Sequence, residues 1–245
     1  MPAPQVRKII DPPKLKTRKI HPNLPQPHAQ ILMVMPCKCG KSTIASNLII
    51  NDDFFGLDYF GIPPLVISNS INTDSTSRFL KKCADCYDNY KDSYIDDFVA
   101  KQKSYGDVQK QPPACVFVDD CLGDKTTALD NLCSRYRHSN IHLLIISTQA
   151  LRKISPVCRA NATNWLCGRL QNIKEYNKLS EEMSGMFGGE DNFRNLYEQA
   201  TKKKYDFLHL NLQENPAEAW INFETKIWPK DNMENDEQNI FEEEI

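Results

Sequence analysis

Ile31-Leu32-Met33-Val34-Met35-Pro36-Cys37-Lys38-Cys39-Gly40-Lys41-Ser42-Thr43 is the stretch on which the fold turns. Its first four residues form a continuous apolar run, as expected of a strand buried on both faces. Thr43 to Ile50 has helical composition. Met35–Ser42 therefore sits between a strand and a helix, where a glycine-bearing loop wraps phosphates at the helix N-terminus. In this reading Met35, Pro36, Cys37, Lys38, Cys39, Gly40, Lys41, Ser42 and Thr43 surround a nucleotide, ATP with Mg²⁺. Gly40 lets the backbone approach the phosphates, Lys41 bridges the β- and γ-phosphates, and Ser42 ligates Mg²⁺. The pattern G-x-x-x-x-G-K-[ST] has a glycine where this chain has Met35, and Lys38 replaces a further common glycine. A non-glycine residue at positive φ costs about 1 kcal/mol or more. The sequence thus predicts a slightly reshaped loop, or a second phosphate charge supplied by Lys38.

Further buried runs follow at Leu65–Ser68, Cys115–Val118, Ile141–Ser147 and Trp165–Cys167. Between and after them, Thr126–His138, Asn172–Met183 and Asp191–Lys202 read as helices, and residues 75–104 as two helices and a loop. Tyr205–Leu212 and Ala219–Phe223 form a C-terminal hairpin around Glu214-Asn215-Pro216. Buried strands alternating with helices give an α/β fold, a mainly parallel sheet covered by helices on both faces. In such sheets ligands bind at the carboxyl ends of the strands. The run Cys115–Val118 ends in Asp119 and Asp120. Asp119 is expected to hold Mg²⁺ and Asp120 to act as general base on the attacking water. Ile141–Ser147 ends in Thr148-Gln149. In phosphate-loop ATPases with an extra strand between the loop strand and the acidic strand, the γ-phosphate sensor lies there; Gln149 is the first choice and Thr148 the second.

At 245 residues, with 40% hydrophobic and 25% charged residues, the chain has the composition of a globular protein with a sizeable core. No apolar run is long enough to span a bilayer, and no secretory signal is read at the Pro-rich start. Nine cysteines at no framework spacing read as reduced thiols. The net charge of -2 hides an asymmetry. Arg7, Lys8, Lys14, Lys16, Arg18 and Lys19 face only Asp11 near the start, and residues 230–245 set seven carboxylates against Lys230. Residues 1–29 are read as a flexible basic Pro-rich arm, 30–229 as the ATPase domain and 230–245 as an acidic disordered tail. Cys37, Cys39, Cys83 and Cys86 could be written as a zinc site, but the first two already serve the phosphate loop. Tyr87, Tyr90, Tyr94 and Phe98 read as a packing stripe on a helix. Lys202-Lys203-Lys204 reads as a solvated turn or a contact to DNA.

Arg137-His138-Ser139-Asn140 before the sensor strand, Gln149 at its end, and Arg159-Ala160-Asn161 beyond resemble the genome-packaging ATPases of large double-stranded DNA viruses, virophages and polinton-like elements. These are RecA-like P-loop NTPases of the FtsK/HerA class. The resemblance covers about residues 30–170. It implies an ATP-driven motor that holds double-stranded DNA without sequence specificity and packages a viral genome into a preformed capsid or portal-like vertex. It also implies a homo-oligomeric ring in which one subunit's arginine completes its neighbour's site. Arg137, Arg152 and Arg159 are the candidates, with Arg159 and Arg137 favoured. The expected location is the host cytoplasm, in the viral factory, or the virion. A replication helicase-type ATPase, or a nucleotide-binding structural protein with a degenerate loop, are the other readings.

Overall fold

The computed structural model describes residues 19–74, 78–120 and 126–229. One nine-stranded sheet organises them. Its parallel part runs in the order β3 (Asp85–Tyr87), β2 (Leu65–Ser68), β4 (Ala114–Asp119), β5 (Ile141–Thr148), β1 (Ala29–Val34) and β6 (Asn164–Cys167). Antiparallel β7 (Leu208–Asn211), β8 (Glu218–Ile221) and β9 (Thr225–Trp228) extend the β6 edge. β5 therefore lies between the loop strand β1 and the acidic strand β4, the position expected of the sensor strand.

Every residue of β1, β2, β4, β5 and β6 is buried. Because strand side chains alternate, each strand feeds two cores. Ile31 and Met33, Cys115 and Phe117, and Leu143 and Ile145 face α1 (Lys41–Ile50) through Ala45, Leu48 and Ile49. Leu32 and Val34, Val116 and Val118, and Leu144 and Ile146 face the opposite side. That side is covered by α2 (Asp92–Ser104), α3 (Thr127–Arg135), α4 (Pro156–Ala160), α5 (Ile173–Met183) and α6 (Glu190–Ala200). Two-sided burial explains why these strands are continuous apolar runs without a polar alternation. Among the described residues no helix is long and apolar enough to cross a membrane.

Three local expectations change, and the C-terminal hairpin gains a strand. Residues 78–104 hold a short 3₁₀ turn, the edge strand β3 and only one helix, α2. The aromatic stripe is consequently split: Tyr87 stands on β3 and stacks on Tyr94 of α2 with ring centroids 3.7 Å apart. The C-terminal hairpin forms from β7 and β8, and the chain turns again at Asn222 and adds β9 to it, making a three-stranded meander. Residues 19–28, read as part of a flexible arm, are packed: Ile20 and Leu24 are buried, and Gln26 exchanges hydrogen bonds with Gln213. Residues 1–18 of that arm and the acidic tail 230–245 lie outside the described residues.

Trp165, at the centre of β6, is fully buried against the helical face. Trp165→Ala is expected to cost about 3–5 kcal/mol of stability, read from the urea midpoint. A loss below about 1 kcal/mol would show that β6 is not a core strand.

Candidate active site

Ser68, Asp119 and Ser147 are register partners across β2, β4 and β5. In-register residues of parallel strands point to the same face, so the carboxylate of Asp119 is flanked by two hydroxyls. Ser68 Oγ donates to Asp119 Oδ2 at 3.0 Å, and Ser147 Oγ donates to Oδ1. Asp119 is buried; burial pushes its pKa up, and the two hydroxyls pull it back.

Asp120 follows in the left-handed region, with φ 48°, and its N–H donates to Ser147 O at 3.0 Å. That turn swings its side chain into the cleft above the strand ends. Its Oδ2 lies 3.2 Å from Lys41 Nζ and accepts from Gln149 Nε2 at 2.9 Å. Its Oδ1 accepts the Gln149 backbone N–H at 3.1 Å. The ends of β4 and β5 and the lysine of the loop after β1 thus converge on one carboxylate.

Lys41 opens α1 and also donates to Met35 O at 3.1 Å. Gly40, at φ 94°, is the residue before the helix; α1 has no side-chain cap and no acidic residue in its first turn. Its first N–H groups and the helix dipole are therefore left for an anion. By contrast, Ser155 and Asn172 cap α4 and α5 with their own side chains.

Of the two departures in the loop, only Lys38 takes a positive φ, 62°. Met35 does not. It is buried, and its side chain lies where Gly168 has none: a Cβ on Gly168 would come within 3.0 Å of Met35 Cγ. Methionine at the first motif position is accommodated by a glycine on the neighbouring strand end, and the strain anticipated there does not arise.

Pro36, Cys37, Lys38, Gly40, Lys41, Ser42 and Thr43 line one cleft of about 690 Å³ with Asp119, Asp120 and Gln149. Asn69, which donates to Asp120 O, Ser70, Thr73, Asp74 and Tyr205 also line it. Met35 and Cys39 are turned toward the core and do not line it. Thr148 Oγ1 is directed to Ala150 O and leaves Gln149 as the residue facing Asp120.

The arginines do not reach the cleft. Arg159 Nε pairs with Glu182 at 2.9 Å, and its Nη1 donates to Ile154 O at 2.8 Å. Arg152 pairs with Glu175, and Arg137 packs on the Tyr136 ring ahead of β5, at the end of the sheet away from the cleft. Among the described residues no three His, Cys, Asp or Glu side chains cluster to hold a metal, so the four cysteines considered for zinc form no such site. Ser68, Ser147 and Asn69 were not singled out from sequence. Their only signal is a small polar residue at or just past the end of a buried run.

No protein-family model matches this chain, and no curated protein matches it significantly in sequence. Its structure is similar to that of the genome-packaging NTPase B204 of Sulfolobus turreted icosahedral virus 2, solved with AMP. The two align with a TM-score of 0.57 at 19% identity, over 81% of this chain and 97% of that one. The DNA-packaging ATPase B204 of Sulfolobus turreted icosahedral virus aligns with a TM-score of 0.58 at 16% identity, over 79% and 97%. The chain has the P-loop ATPase fold of these packaging enzymes. The pCW3 conjugation coupling protein TcpA, solved with ATPγS, shares it at a TM-score of 0.50 and 14% identity, over 76% of this chain and 57% of TcpA.

Among the described residues a Cβ on Gly40 would meet only Tyr205 Cδ1, at 3.9 Å, so space is not the obstacle to a side chain there. The backbone is. Gly40→Ala is expected to lower stability by about 1–2 kcal/mol, measured by urea denaturation. An unchanged midpoint would mean that the loop leaves positive φ at no cost.

Proposed function

We propose that this chain is an ATPase that drives double-stranded DNA, and that its task is to package a viral genome into a preformed capsid. The observation that carries the reading is the convergence of Lys41 and Gln149 on Asp120, beside an uncapped helix N-terminus. The fold shared with B204 over 97% of that chain supports it.

Bound phosphates compete with Met35 O and Asp120 for the Lys41 ammonium. Once Lys41 turns to them, the Asp120 carboxylate keeps Gln149 and is free to accept a proton from the attacking water. Gln149, bonded to that carboxylate through both its side chain and its backbone, links the water-activating group to the end of β5. The donor set suits Mg²⁺: Ser42 and Asp119 offer hard oxygen donors in the cleft and would hold the ion there. When bound, the ion neutralises charge on the phosphates. DNA is held through phosphates and sugar, so affinity is insensitive to sequence and steep in salt.

Among the described residues no arginine lines the cleft. This favours a ring in which a neighbour supplies one, acting in the host cytoplasm where capsids form, or on the virion. For Arg159 to serve, its pairing with Glu182 has to open.

The test is ATP hydrolysis with and without double-stranded DNA, with Lys41→Ala as control. The expected results are basal hydrolysis that rises with DNA and with protein concentration, and its loss in a folded Lys41→Ala protein. Hydrolysis undiminished in Lys41→Ala would refute the phosphate-loop assignment. ATP binding without turnover under any DNA condition would make the chain a passive nucleotide binder.

A further inference from the structure

A second cleft, of about 430 Å³, adjoins the phosphate cleft. Ile44 of α1 and three aromatic rings, Phe54, Phe207 and Phe223, form its apolar side, and Asn47, Asp53 and Glu224 are among the polar residues on its rim. Phe223 meets Phe54 and Phe207 edge-on, with ring centroids 6.0 Å and 5.3 Å away. Thr43 and Tyr205 line both clefts and mark where one opens into the other.

Tyr205 is unusual in three respects. Its side chain is a large aromatic left 58% exposed. Its backbone is in the left-handed region at φ 74°, a conformation that costs a tyrosine energy and recurs at ligand clamps. The segment behind it is fixed: Phe207 N–H donates to Asn222 Oδ1 at 3.1 Å, and Asn222 Nδ2 donates to Asp206 Oδ1 at 3.1 Å. The ring lies over Gly40, at the lip between the two clefts, with Lys204 Nζ 4.8 Å from its centroid.

Phosphates seated on the first N–H groups of α1 leave the nucleotide's remaining atoms to run past Thr43, in the first helical turn. Beyond Thr43 along α1 lies Ile44 and the aromatic cleft. We infer that this cleft is the nucleobase subsite and that Tyr205 is its stacking residue, closing over the base where it leaves the phosphate loop. The inference rests on the phosphate-site reading proposed above and adds to it the part of the nucleotide that the loop does not touch. A base has two flat apolar faces and gains by leaving water for an aromatic wall. Tyr205 comes from the α6–β7 connection and not from the nucleotide-binding core, so base binding also ties the C-terminal meander to the loop.

Calorimetric titration of the full chain with ATP and with inorganic tripolyphosphate tests it, comparing wild type, Tyr205→Ala, Tyr205→Phe and Lys41→Ala. Loss of one base–aromatic stack is expected to weaken ATP binding by Tyr205→Ala about 10-fold or more. Tripolyphosphate affinity should stay within about twofold, and Tyr205→Phe should bind ATP like wild type. Equal weakening of both ligands, or of neither, would overturn the assignment of Tyr205. If Lys41→Ala leaves tripolyphosphate binding intact, the phosphate site itself is misplaced and the subsite falls with it.

Discussion

Lys41 and Asp120 belong to elements separated by a whole strand, yet their charged groups lie 3.2 Å apart. The contact depends on parallel strands that all end at one edge. β5 separates β4 from β1, and its end carries Gln149, which bridges back to Asp120. In the function proposed above, the carboxylate is an electrostatic placeholder that keeps the lysine charge at the cleft floor until phosphates compete for it.

The strand register is enforced by burial on both faces. A one-residue slip of β4 would move Phe117 from one core to the other and turn Asp119 away from Ser68 and Ser147. The same alternation that packs Cys115 and Phe117 against α1 places Asp119 on the α1 face, beneath Lys41. Core packing and site geometry are thus one constraint. The pairing of Met35 with Gly168 is a second instance: a side chain that the loop motif does not provide for is absorbed by the adjacent strand end.

Much of this was legible in the sequence for a physical reason. Buried parallel strands announce themselves as apolar runs, and Asp119, Asp120 and Gln149 are legible as the polar residues that end two of them; Lys41 is legible from the Gly-Lys-Ser motif between strand and helix. Ser68 and Ser147 escaped because a serine after an apolar run reads equally well as the start of a turn. Tyr205 escaped because its position follows from the meander, and a hairpin reading gave it no neighbour. The packing of Ile20 and Leu24 was hidden by surrounding prolines, which forbid regular structure but not docking. Arg159 stood in a recognisable segment, but its partner Glu182 comes from α5, and only the fold brings them together.

The central claim is that the Lys41–Asp120 contact is a placeholder for nucleotide phosphates. The position of Lys41 Nζ in a crystal structure with a non-hydrolysable ATP analogue and Mg²⁺ tests it most directly. The account predicts that Nζ leaves Met35 O and Asp120 Oδ2 for the β- and γ-phosphate oxygens, while Asp120 keeps its bonds to Gln149. An analogue bound elsewhere, or bound in the cleft with Lys41 still paired to Asp120, would contradict it.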